Sequence, residues 1–344
     1  MKSTHPIISK NVTFDYSFLS GKTILITGAT GLIGKAIIKT LLQWNKMETN
    51  HIINIVAVVR NIEKAKKYFG DNNIQYIVGD ICNVDFGSIH SDYIIHTASQ
   101  TSSQSFVDRP VETITTAIIG TKNVLDYAVK TNASGLVYLS SMEVYGTPET
   151  DEKITETYAT NIDVMKVRSC YSESKRMCEN MCISYMSEYK LPVAILRLTQ
   201  TFGEGVVYED KRIFAEFARC VIENRDIILK TTGSTKRAYL YLYDAVTAIF
   251  IVILKSAFGE AYNVANEETY CSIYEMAQMV AHSIAKGKIS VRIRQENIDK
   301  LGFAPTLHMN LDSSKIKRLG WKPSTNLEEM FKIMISDMQV TSQL

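Results

Sequence analysis

The eight residues "TGATGLIG", Thr27 to Gly34, constrain this chain more than any other stretch. They stand between a short apolar run, "KTILI", and "LIGKAIIKTLLQW", whose apolar residues recur at helical spacing. Three glycines at a strand-to-helix junction serve three ends. Gly28 permits the tight turn, Gly31 lets the backbone approach a pyrophosphate seated on the helix N-terminus, and Gly34 lets the helix pack on the sheet. Thr30, Leu32 and Ile33 share that turn and are candidates to face the same cofactor. Glycine punctuates many turns, so a loop without a ligand is the alternative.

The pattern downstream narrows the choice. "NIVAVVR", "IQYIVGD", "YIIHTAS", "GLVYLSS" and "PVAILRL" are short apolar runs separated by helical segments, among them residues 111–131 and "SESKRMCENMCISYMSEY". Such alternation predicts an α/β fold, a doubly wound parallel (Rossmann) sheet covered on both faces, with ligands at the carboxyl ends of the strands. The expected nucleotide-binding domain spans residues 20–203, with 238–265 crossing back onto it. Residues 204–237 and 266–335 are expected to form a smaller, mainly helical, substrate-binding lobe. A net charge of +2 without long basic blocks argues against a nucleic-acid partner. Six cysteines with no C-x-x-C pair argue against a metal site, and Cys178 and Cys182 are spaced as core neighbours on one helix face. With no apolar run of ~18 residues and no apolar leader, the expectation is a cytoplasmic protein with no membrane partner.

The strand "VAVVRN" ends in Arg60 and Asn61, where a dinucleotide site commonly carries an acid for the ribose 2′-hydroxyl. A guanidinium there suits a 2′-phosphate, which a carboxylate would repel. NADP(H) is therefore the preferred cofactor, NAD(H) the alternative. Arg60 could equally be a solvated strand-end residue. Further on, "RSCYSESKR" places Tyr171 and Lys175 four residues apart, on one helix face. A tyrosine with a pKa near ~10 is a poor base at neutral pH, and an adjacent ammonium would lower it. Ser141, at the end of "GLVYLSS", can hold a substrate oxygen beside that tyrosine. Together they form a Ser/Tyr/Lys set for moving a proton while hydride moves to or from nicotinamide.

These motifs resemble the extended short-chain dehydrogenase/reductases, in the NAD-dependent epimerase/dehydratase family that acts on nucleotide sugars. The resemblance covers roughly residues 20–335 and is carried by "TGATGLIG", "VGDI", "HTAS", the Ser141/Tyr171/Lys175 set, "RLTQTFG" and "RAYLYLYD". It implies cofactor contacts at Asp80, Ile81, Thr97, Ala98 and Ser99, and a diphosphate grip at Arg237, which shares its motif with Asp244. The pattern is nearest to UDP-glucuronate decarboxylases, with departures. Met142 stands where decarboxylases carry Ser and dehydratases Asp, and a thioether has no proton to give a leaving hydroxyl. The late arginine of the decarboxylases falls near His308, with no Arg between Arg294 and Arg318. Gln200 replaces an Asn beside the sugar pocket, and Thr101 lies in the hydroxyl-rich "HTASQTSSQSF", suited to sugar hydroxyls or to solvent. Glu143 is either an acid/base or a structural carboxylate, and each role requires a partner.

The expected reaction is NADP(H)-dependent reduction of a nucleotide-linked 4-keto sugar, such as a dTDP-4-keto-6-deoxyhexose, in polysaccharide, O-antigen or lipopolysaccharide sugar biosynthesis. The alternative is a 4-epimerase or a UDP-glucuronate decarboxylase-like enzyme that retains NAD. A homodimer is expected from the family's helix-pair interface, to which Met177, Met181 and Met186 could contribute.

Overall fold

The computed structural model describes residues 14–70, 72–159, 161–296 and 306–341. Strand β1 (Thr23–Thr27) enters α1 (Leu32–Met47), followed by β2 (Asn54–Val59), α2 (Ile62–Phe69), β3 (Gln75–Val78) and β4 (Tyr93–His96). A short α3 (Ser103–Asp108) precedes α4 (Pro110–Lys130), β5 (Gly135–Ser141), α5 (Ser169–Tyr189) and β6 (Val193–Leu198). Then come β7 (Gln200–Phe202), α6 (Ile213–Ile222), β8 (Ile227–Leu229), β9 (Lys236–Tyr241), α7 (Leu242–Leu254), β10 (Ala261–Val264) and β11 (Asn266–Ser272). The chain closes with α8 (Ile273–Met279), β12 (Val291–Ile293), β13 (His308–Met309), α9 (Ser314–Lys317) and α10 (Leu327–Thr341).

Seven strands form one sheet in the order β10-β6-β5-β4-β1-β2-β3, with every neighbour parallel. The order reverses between β1 and β4, which opens a crevice at their carboxyl ends. Strand periodicity sorts the core. Ile24 and Ile26 of β1 share one hydrophobic cluster with Ile37, Leu41 and Phe250. Leu25, between them, packs on the other face with Val124, Leu125, Cys178 and Cys182. Each such aliphatic side chain contributes about 1.5–3 kcal/mol on burial.

Gly28 adopts φ +63°, and a Cβ there would lie 2.6 Å from Thr97 Oγ1 and 2.8 Å from Ala98 N. A Cβ on Gly34 would lie 2.4 Å from Gly28 O. Neither position has room for a methyl group.

Helix α7 packs against α1 and against strands of both larger sheets, so it has no polar face. Its buried Asp244 accepts from Ser324 N at 3.0 Å and Ser324 Oγ at 2.6 Å, and Trp321 Nε1 donates to Asp244 O at 3.0 Å. This ties the "WKPS" turn to the core, and burial raises the Asp244 carboxyl to about 6.

A separate core gathers Phe202, Phe214, Phe217, Tyr239, Met276, Phe331 and Met334. The region expected to be mainly helical is mixed: β9 pairs with β7, β11 and β13, and β8 pairs with β12. Strands such as Gln200–Phe202 and His308–Met309 are too short to show a period, and their partners are remote in sequence.

Candidate active site

The carboxyl ends of β1 to β5 border a cavity of about 860 Å³. Its wall collects the turn residues Gly28, Thr30, Gly31, Leu32 and Ile33, then Arg60, Asp80 and Ile81. Beyond these lie Thr97, Ala98, Ser99 and Thr101, and at the far side Ser141, Met142, Glu143, Tyr171, Lys175 and Gln200. Residues 205–212 of the second core's segment close the opposite side.

Three candidates fall elsewhere. Gly34 lies beneath the turn, where it lets α1 approach Gly28. Asn61 is a helix cap: its Oδ1 accepts from Lys64 N at 2.8 Å and starts α2. Arg237 sits half-buried on β9, off the cavity wall, and its buried Nε has no partner among the described residues.

The β1–β4 junction is locked by hydroxyls. His96 Nδ1 meets Thr27 Oγ1 at 2.7 Å, and its Nε2 meets Thr121 Oγ1 at 3.1 Å. Burial lowers His96 to about 3, so the imidazole is neutral. Thr27 Oγ1 in turn accepts from Thr97 N and Ala98 N, each at 3.2 Å.

At one end of the cavity the charge is basic. Arg60 and Lys64 are exposed on its wall and form no ion pair among the described residues. Lys35, also on the wall, lies 4.5 Å from the Tyr68 ring centroid and donates to Gly205 O at 3.4 Å. Burial lowers its pKa, and the neighbouring Lys39 and Lys64 lower it further. Lys35 and Lys64 were not singled out from the sequence. Only Lys64's place three residues into a capped helix, close to Arg60, hinted at them.

At the other end the groups are buried. Ser141 caps a short helical turn, Met142–Tyr145, accepting from Glu143 N at 3.2 Å. Tyr171 and Lys175 lie one turn apart on α5. Lys175 Nζ donates to Leu139 O at 2.7 Å and sits 4.7 Å from the Tyr138 ring centroid. Burial lowers Lys175 to about 8, and Glu179 is among the groups that oppose this. The Tyr171 ring stacks on Phe106 at 4.3 Å. Burial pushes the phenol up and Glu143 adds to this, while Ser141 and Arg168 oppose it. Tyr171 is thus protonated at neutral pH. Lys175 was expected to be the group that eases its ionisation; here the ammonium is engaged by Leu139 O, 6.0 Å from the Tyr171 ring centroid.

Glu143 has a partner that sequence reading missed. Arg168 Nη1 donates to Glu143 Oε2 at 3.0 Å and Nη2 to Oε1 at 3.2 Å. Met142 is 3% exposed, packs with Val144, Tyr145 and Met309, and receives the Thr199 hydroxyl at its sulfur at 3.3 Å. Behind the site, Glu179 accepts from Ser140 Oγ at 2.5 Å and from Arg197 Nη2 at 2.7 Å, which ties α5 to β5 and β6.

The profile of the NAD dependent epimerase/dehydratase family matches residues 24–265. Over 314 residues the chain is 30% identical to UDP-glucuronic acid decarboxylase 1 of Danio rerio, covering 90% of this chain and 70% of that one. It is 27% identical over 323 residues to dTDP-D-glucose 4,6-dehydratase of Mus musculus, covering 90% and 87%. Among solved structures, UDP-glucose 4-epimerase of Thermotoga maritima, with UDP-glucose, superposes with a TM-score of 0.79 at 20% identity, over 93% of this chain and 99% of that one. No helix among the described residues is long and apolar enough to cross a membrane.

Proposed function

Because the chain belongs to the NAD dependent epimerase/dehydratase family, as a nucleotide-sugar enzyme of the extended short-chain dehydrogenase/reductase type, we propose that it reduces a nucleotide-linked 4-keto sugar with NADPH. The simplest substrate is a dTDP-4-keto-6-deoxyhexose, in the making of sugars for polysaccharide. The basic end of the cavity carries this reading. Arg60, Lys64 and Lys35 converge on the wall after β2, where a carboxylate would select NAD. A phosphate monoester there would meet a guanidinium fork and two ammonium groups.

The Gly28–Ile33 turn and the cavity behind it suit a dinucleotide, whose nicotinamide would supply the hydride. Ser141 holds the carbonyl oxygen of the sugar. Tyr171, protonated before reaction, gives its phenolic proton to that oxygen. Lys175, cationic at neutral pH, leaves Leu139 O to bind the nicotinamide ribose and to offset the phenolate. Glu143 has both oxygens engaged by the Arg168 fork, so in this reading Tyr171 alone moves the proton. Apolar side chains exposed on α4 and α5, Val111, Ile119, Met177 and Ile183 among them, suit a homodimer.

A second reading is a decarboxylase or 4-epimerase with retained NAD. It is favoured by the 30% identity to a UDP-glucuronic acid decarboxylase and by the carboxylate of Glu143 beside Tyr171. The deciding experiment releases any nucleotide from purified protein, then follows absorbance at ~340 nm with NADPH or NADH and dTDP-4-keto-6-deoxyglucose. Preferential NADPH consumption supports the reductase. Protein that arrives with NAD and turns over UDP-glucuronate without added cofactor supports the second reading.

A further inference from the structure

Arg168 is absent from the cavity wall, yet it is the countercharge to a carboxylate that lines it. It stands at the start of α5, three residues before Tyr171, so one rigid element carries both. Its two Nη atoms are committed to Glu143, and its Nε is buried with no partner among the described residues. Phe106 fills the space between them, stacked on Tyr171 at 4.3 Å and 5.7 Å from the Arg168 guanidinium carbon. Only a planar fork can hold both carboxylate oxygens from this position.

We propose that Arg168 is a positioning residue: by clamping both oxygens of Glu143 it fixes that side chain against the cavity wall and sets a cation beside the carboxylate that faces the phenol of Tyr171. The inference rests on Tyr171 as the group that moves the proton. A carboxylate beside a tyrosine opposes loss of the phenolic proton, and a cation restores the balance. The other groups facing the ring are Lys175 and Cys170 from α5, Ser141 and Tyr138 from β5, and the uncharged Phe106 from α3. None of these is an acid side chain like Glu143, and among the described residues Arg168 alone forms an ion pair with Glu143.

The two charges therefore act on Tyr171 with opposite signs. Arg168→Met leaves Glu143 uncompensated and raises the Tyr171 pKa, by about one unit. Glu143→Gln lowers it by a similar amount, and the double variant returns toward the wild-type value. Arg168→Lys keeps the charge but loses the fork, so it shifts the pKa less than Met does while still lowering kcat, with KM for NADPH unchanged.

Tyr171 can be titrated without turnover, by fluorine NMR of protein carrying 2,3,5-trifluorotyrosine at position 171 alone, whose ring fluorines bring the phenol down by several units into the range a folded protein tolerates. The pH limb of kcat then provides the second readout. Opposite shifts in the Met and Gln variants support the proposal. Shifts of one sign, or none in Arg168→Lys and Glu143→Gln variants that bind NADPH and melt like the wild type, overturn it. If no nucleotide sugar is turned over by any variant or by the wild type, the proposed reaction fails, while the titration still decides the role of Arg168.

Discussion

The two ends of the cavity solve different problems with the same kind of residue. Beyond β2, Arg60 and Lys64 are exposed and unpaired among the described residues, ready for an anion from outside. On the cavity side of α5 the charges are buried or half-buried and already answered: Glu143 by Arg168, Glu179 by Arg197, and the Lys175 ammonium by Leu139 O. An exposed cation costs little to leave waiting, because water solvates it. A buried one must be satisfied before any ligand comes. On the proposed reading the first end recognises, and the second holds its geometry while a proton moves.

That contrast can be broken most sharply at Tyr171. Tyr171→Phe is expected to lower kcat by about 10³-fold, with the dissociation constant for NADPH nearly unchanged; single-turnover absorbance and a binding titration separate the two. A similar fall in binding would mean that the buried end also recognises. Next, Glu179→Ala strands Arg197, whose side chain is 15% exposed, and should cost about 3–5 kcal/mol in a urea melt. At the open end, Arg60→Ala should leave the fold intact and lower kcat/KM for NADPH by about tenfold relative to NADH, since one charge-assisted hydrogen-bond site is worth roughly 1.5–3 kcal/mol. An unchanged ratio would detach Arg60 from the cofactor. The smallest effect is expected at Asn61→Ala, which removes the cap of α2 for about 1 kcal/mol of stability. Cofactor preference should stay as it was, because the Asn61 side chain is engaged by Lys64 N.

Much of the fold was legible because its signals are local. Strands such as Thr23–Thr27 and helices such as Ser169–Tyr189 carry their periodicity within themselves, and the glycine turn marks its own position. Tyr171 and Lys175 could be placed on one face from spacing alone. The pairing of Glu143 with Arg168 was not legible, although Glu143 was singled out and Arg168 opens a quoted motif, since nothing in the sequence says that the start of α5 returns beside β5. Lys35 escaped because its neighbours in the turn were read through their backbone. Asn61 illustrates the opposite: its position next to Arg60 suggested the ligand, while its side chain caps local backbone. Met142 was read for its chemistry, the lack of a proton, but its burial among Val144, Tyr145 and Met309 depends in part on a strand two residues long.

The contact of Gly34 with Gly28 O, and of Gly28 with Thr97, means that ligand site and scaffold are made of the same atoms. A methyl group on Gly34 would push α1 off the turn, and one on Gly28 would push the turn off the segment after β4, before either touched any nucleotide. In a library screened for loss of activity, substitutions there would disappear as insoluble protein and never be counted as inactive enzyme. The chain can explore new sugars by changing the far wall of its cavity, but it has little freedom to forget the dinucleotide turn.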